Sequence, residues 1–188
     1  MKFAFAIAAA LVALAVPLSA QADSATRQAA DVLSWTEATG TLSPPVYGAA
    51  TLIRNDQGIA MTFHTTGLPA GEAVTIWWII IGPGGLLSAQ FAAGHVIGND
   101  GVGNFAGSLA EGDTSGCFAT WFPCEGLSTD PAIGDSRTAT VLLLARVHGA
   151  AEPGRIPTQI HTSETTDDGV TCSETLCQVQ GAIFSPVP

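Results

Sequence analysis

The chain has 188 residues, 47% of them apolar and only 12% charged, with six basic and sixteen acidic side chains and a net charge of −10. So acidic a surface repels phosphate backbones and anionic lipid, which argues against a nucleic-acid partner. The length suits one domain large enough to bury a real core.

The N-terminus carries the pattern of an export signal. Lys2 supplies a positive start, Phe3 to Val16 form a 14-residue apolar run, and Pro17 breaks it before Ala20-Gln21-Ala22. A small-x-small triplet after such a run is what a signal peptidase reads. The run is shorter than the roughly 20 apolar residues a membrane-spanning helix needs, so no membrane span is expected. Residues 1–22 are read as a signal peptide and 23–188 as a single domain, secreted or periplasmic. The part from Asp23 onward keeps five arginines (27, 54, 137, 146 and 155) against all sixteen acids.

In chain order, Ala25 to Trp35 is the one candidate helix. Val46 to Arg54 reads as a strand, Asn55-Asp56-Gln57-Gly58 as a four-residue hairpin loop, and Ile59 to Thr66 as its return. In the return, Ile59, Met61 and Phe63 alternate with Ala60, Thr62 and His64, the period of a half-buried strand. After the turn Gly67 to Gly71, Ala73 to Ile81 is apolar on both faces. Such a strand belongs in the middle of a sheet, covered on both sides, or else lends one face to a partner or a second copy. Gly82 to Gly85 ends it. Leu86 to Ile97 holds strand material, Gly98-Asn99-Asp100-Gly101 is a turn, and Val102 to Ala110 returns with Phe105 and Leu109 on one face. Residues 111–137 read as a long irregular loop, Thr138 to His148 as a strand, Ile156 to Thr162 as a candidate strand and Gln178 to Phe184 as the closing strand. Short strands bounded by Gly, Pro, Asn and Asp predict an all-β fold: a single antiparallel β-sandwich of about eight strands with Greek-key-like connections.

All four cysteines, Cys117, Cys124, Cys172 and Cys177, follow the apolar N-terminal run. An even count in an exported chain predicts disulfides, and three pairings are possible. The local pairs 117–124 and 172–177 are favoured because each flanks a short loop; each closure would contribute roughly 2–2.5 kcal/mol. Zinc is the alternative, although neither spacing is the usual C-x2-C.

Catalytic motifs are lacking. There is no G-x-S-x-G elbow, no phosphate-binding loop, and no H-x-H or H-x-x-x-H pair among His64, His95, His148 and His161. No metal and no cofactor is therefore expected. Glu111/Asp113, Asp130/Asp135 and Asp167/Asp168 are scattered carboxylates, and whether any two converge in a cleft is not encoded locally. Trp78 shares a face with Val74, Ile76 and Ile80 and reads as core. Trp121, between two cysteines, is the better candidate for an exposed aromatic platform. Arg146 and His148 share the face of Leu142 and Leu144, opposite Leu143, Ala145 and Val147. That face is expected to open at the end of the fold. There an arginine fork and a histidine that titrates near neutral pH offer a binding spot. The structural alternative pairs Arg146 with an acid such as Glu152.

The segment Ala145-Arg146-Val147-His148-Gly149-Ala150-Ala151-Glu152-Pro153-Gly154 resembles the A-H-I-H-G-P-A-x-P-G signature of the CHRD (chordin-type) domain, a family that looks related to the Cu,Zn superoxide dismutase-like β-sandwich. The stretch from Gly48-Ala49-Ala50-Thr51-Leu52 to Thr66-Gly67-Leu68 is similar to that family's hairpin before its G-L turn. Arg146 stands where the signature has its first histidine. The resemblance implies a sandwich fold, and fold alone does not imply function. The leading expectation is an exported non-catalytic binding or structural domain with an unknown ligand, bound through Arg146, His148 and Trp121. The alternatives are an exported enzyme of dismutase-like or hydrolytic type using His148 and Arg146, and a surface protein that self-assembles through Ala73 to Ile81.

Overall fold

The structure, a computed structural model, describes residues 25–82, 85–113, 133–160 and 178–187. Its strands are β1 (Thr26–Thr36), β2 (Thr41–Asn55), β3 (Gly58–Thr65), β4 (Glu72–Gly82), β5 (Gly85–Val96), β6 (Gly103–Ala110), β7 (Thr140–Ala150) and β8 (Gln178–Phe184), with one short helix, α1 (Ile156–Gln159). The all-β, antiparallel, eight-stranded expectation is met.

The strands form one sheet in the order β5-β4-β7-β8-β1-β2-β3-β6. Its two halves are joined by only two residue pairs between β1 and β8, Leu33 with Gly181 and Ser34 with Gln180. The outer strands β5 and β6 come together at the other seam. There the His95 and Phe105 rings lie 4.5 Å apart, and a Cβ on Gly107 would sit 2.8 Å from the Ala92 carbonyl oxygen. The two layers read from the sequence thus take the form of a single sheet nearly closed into a barrel. In the sheet order β7 returns beside β4, and β6 pairs with β3 rather than with β5.

Alternation decides the inside. Ala50 and Leu52 of β2, Met61 and Phe63 of β3, Ile76 and Trp78 of β4, Phe105 and Leu109 of β6, Leu143 and Ala145 of β7, and Ala182 and Phe184 of β8 fill the core. Phe63 and Phe105 meet edge to face at 6.3 Å.

Three local expectations are corrected. Ala25 to Trp35 is not a helix: β1 pairs with β2 from Thr26–Arg54 to Thr36–Thr41. Partnership along a whole strand outweighs the weak helix propensity of an Ala- and Gln-bearing segment. Ile156 to Thr162 does not begin as a strand. Pro157 sits in the first turn of α1, where its missing N–H costs nothing. The β2–β3 loop is shorter than expected, because Asn55 and Gly58 are themselves a cross-strand pair. Asn55 Oδ1 accepts the Gln57 N–H at 2.9 Å and tightens that turn. Gly58 is required there: its φ is 144°, and a Cβ would lie 2.2 Å from the Leu109 carbonyl oxygen.

Each end of the barrel is closed by a buried polar side chain. At one end Arg54, fully buried and on the inward period of β2, donates Nε to Gln28 Oε1 at 2.7 Å. Its Nη1 donates to the carbonyls of Ser136 (2.5 Å) and Ala139 (2.9 Å), and its Nη2 to those of Phe184 and Ser185 (both 3.3 Å). All five guanidinium N–H groups are used. At the other end Gln180 of β8 reaches Thr65 of β3: Oε1 accepts the Thr65 hydroxyl, and Nε2 donates to the Thr66 carbonyl at 2.9 Å.

Candidate functional site

Of the residues singled out in the sequence, Arg146 and His148 lie on β7. Leu142, Leu144, Arg146 and His148 do share one face, and Leu143, Ala145 and Val147 point into the barrel. The expectation that this outer face opens to solvent is overturned. Arg146 is 5% exposed and His148 0%, and Leu142 and Leu144 beside them are equally covered. The neighbouring outer face of β4 is covered too, with Thr75 and Trp77 buried.

Part of the cover is α1 and the residue after it. A Cβ on Gly94 of β5 would lie 2.4 Å from the Ile160 carbonyl oxygen and 3.1 Å from Thr75 Cγ2, so glycine is what lets the chain lie flat here. Gln159 ties the helix to the end of β7. Its Oε1 accepts the Glu152 N–H and its Nε2 donates to the Ala150 carbonyl, both at 2.9 Å. Glu152 itself pairs with Arg155 at 3.0 Å rather than with Arg146.

Across the β4–β7 ladder Thr75 is the partner of Arg146. Its Oγ1 lies 2.8 Å from His148 Nε2 and accepts the Trp77 Nε1–H at 2.8 Å. The Trp77 ring meets Phe91 edge to face at 6.3 Å. Burial, and next the Arg146 charge, push the His148 pKa down to about 4. At neutral pH the imidazole is uncharged and held against a hydroxyl in an apolar setting. Neither arrangement suits an acid–base group that must exchange protons with a substrate.

The other histidines do not join it. His64 is on the exposed outer face of β3, with Nδ1 2.6 Å from Asn104 Oδ1. His95 packs on Phe105 and bonds its own neighbour, Nδ1 to the Val96 carbonyl at 2.9 Å. Among the described residues no group of three or more His, Cys, Asp or Glu is placed to hold a metal ion. Trp121, His161 and the four cysteines 117, 124, 172 and 177 lie outside the described residues.

The strand Ala73 to Ile81 is central, with β5 on one edge and β7 on the other. Both its faces are largely buried, with Ile79 and Ile81 half-buried. Sequence reasoning missed Arg54, Gln90, Gln159 and Gln180, all fully or almost fully buried. For Arg54 and Gln180 a signal existed, since each falls on the inward period of its strand, two residues from Leu52 and Ala182 respectively.

No helix among the described residues is long and apolar enough to cross a membrane. No family model, no curated protein and no solved structure matches the chain.

Proposed function

We propose that the protein is an exported, non-catalytic binding or structural domain: a stiff barrel that offers its uncovered outer face to other molecules. The reading is carried by His148, the best chemical candidate in the sequence. It is buried, hydrogen-bonded to Thr75 and held neutral, which is how a structural histidine is used. The outer side of β1, β2, β3 and β6 supports the second half of the proposal. Arg27, Asp31, Ala49, Ile53, Thr62, His64, Asn104 and Ser108 stand exposed there. A shallow depression between Ile53, Asn55, Gln57, Ala60, Ser108 and Ala110 gives that face some relief. The N-terminal pattern of residues 1–22 supports export.

Thermal unfolding of Arg146→Ala and His148→Ala tests the structural use of the pair. Each is expected to lower the melting temperature by several degrees, the shift that a loss of about 2 kcal/mol produces in a domain of this size. Variants that melt with the wild type would return the pair to a functional role and favour the enzyme of dismutase-like or hydrolytic type. Intact-mass measurement of secreted protein tests export; a mature chain beginning at Asp23 is expected, and one retaining residues 1–22 would end that part of the reading.

A further inference from the structure

Inside the barrel, on strands that the proposed function does not use, two neighbouring buried side chains each carry a polar atom without a partner among the described residues. Trp78 of β4 and Gln90 of β5 are a directly opposed cross-strand pair, and both are fully buried. Trp78 belongs to the core cluster, and residues directly opposite on neighbouring strands share a face, so Gln90 also points inward. The indole Nε1 of Trp78 and the amide Oε1 of Gln90 have no hydrogen-bond partner among the described residues. One can only donate and the other, as an amide oxygen, can only accept.

The orientation of the Gln90 amide is set by its other end. Nε2 donates to the Asp113 carbonyl at 3.2 Å and approaches Ser88 Oγ at 3.4 Å. Turning the amide over would set its oxygen against the Asp113 carbonyl oxygen, so Oε1 is fixed on the side away from Asp113. Buried donors and acceptors in folded proteins are almost always satisfied, and an unsatisfied complementary pair marks a place for an ordered solvent molecule.

We propose that Trp78 Nε1 and Gln90 Oε1 form an internal water-binding site of the barrel. One water accepts from the indole N–H and donates to the amide oxygen, joining β4 to β5 inside the core. A water held this way exchanges slowly with bulk, because both of its partners lie beneath the sheet. The site gives both the inward glutamine and the tryptophan opposite it a hydrogen-bond partner.

Nuclear magnetic resonance on the 15N-labelled protein tests this. The Trp78 indole signal is assigned by its disappearance in Trp78→Phe. The expected result is a rotating-frame cross-peak from that indole proton to water, of sign opposite to the diagonal, which separates proximity from chemical exchange. In Gln90→Leu the cross-peak should vanish while the other indole signals stay in place. Absence of the cross-peak in the wild type overturns the proposal whatever the variants do. A cross-peak that persists in a folded Gln90→Leu overturns it as well, since the water would then not depend on the amide oxygen.

Discussion

The outer face of the β4–β7 ladder and the outer face of the β2–β3–β6 ladders are built by the same geometry and end in opposite environments. On β4 and β7 the outward residues Thr75, Trp77, Leu142, Leu144, Arg146 and His148 are all buried. On β3 and β6 the outward residues Thr62, His64, Asn104, Ala106 and Ser108 are all exposed. The difference is written in side-chain chemistry. Strands apolar on both faces must be covered twice, whereas strands that alternate need covering once. The lesson is that the two polar residues on the covered face, Arg146 and His148, take their character from their apolar neighbours. Their polarity makes them candidates for a site, and they are buried because Leu142, Leu144 and Trp77 have to be.

The sharpest way to break this comparison is to place the same polar side chain on each face. Leu144→Asn is expected to cost about 4 kcal/mol, from lost apolar burial together with an amide short of partners. Equilibrium denaturation measures it, and a loss below 1 kcal/mol would mean that the face is not firmly covered.

A second test uses acid. His148 has its folded pKa at about 4 against an ordinary value of 6.5. The unfolded chain therefore binds the proton first, and stability present above pH 6.5 is lost as pH falls toward 4. The full effect corresponds to roughly 3 kcal/mol. In His148→Gln this part of the acid sensitivity should disappear, so the wild-type and variant stability curves should converge as the pH is lowered from 7 to 4. Parallel curves would show that His148 is not shielded.

Gly94→Ala probes how closely Ile160 lies on the covered side. The new methyl group meets a backbone oxygen, so a loss of about 1–3 kcal/mol is expected, with increased hydrogen exchange in α1. Wild-type exchange rates in α1 would show that Ile160 yields without cost.

The smallest effect belongs to the open face. Thr62→Asn should change stability by no more than about 0.5 kcal/mol in the same denaturation assay. A loss near that of Leu144→Asn would erase the distinction between the faces.

Much of the strand pattern was legible because alternation is local. Ile59, Met61 and Phe63, Phe105 and Leu109, and Leu143, Ala145 and Val147 turn inward as their spacing requires. Trp78 was readable as core for the same reason. The error at Ala25 to Trp35 arose because its outward Arg27, Ala29 and Asp31 and inward Gln28 and Ala30 give little contrast in hydropathy. Its pairing with β2, and at Leu33 and Ser34 with β8, makes it a strand. The candidate site was legible as a shared face but not as a buried one. Burial there is a matter of what the chain lays over the sheet, and α1 and Ile160, which come back from beyond the end of β7, are part of that cover.

By itself the sequence determined the number and alternation of most strands, the centrality of Ala73 to Ile81 and the composition of the core. These follow from a two-residue period that each strand carries within itself. Tertiary structure alone decided that the sheet nearly closes into a barrel, that Arg146 and His148 lie covered, and that Arg54 locks one end. The carbonyls that Arg54 holds belong to Ser136, Ala139, Phe184 and Ser185, more than eighty residues along the chain. Partners that distant meet only after the strands have found their order, so no local pattern around Arg54 could announce them.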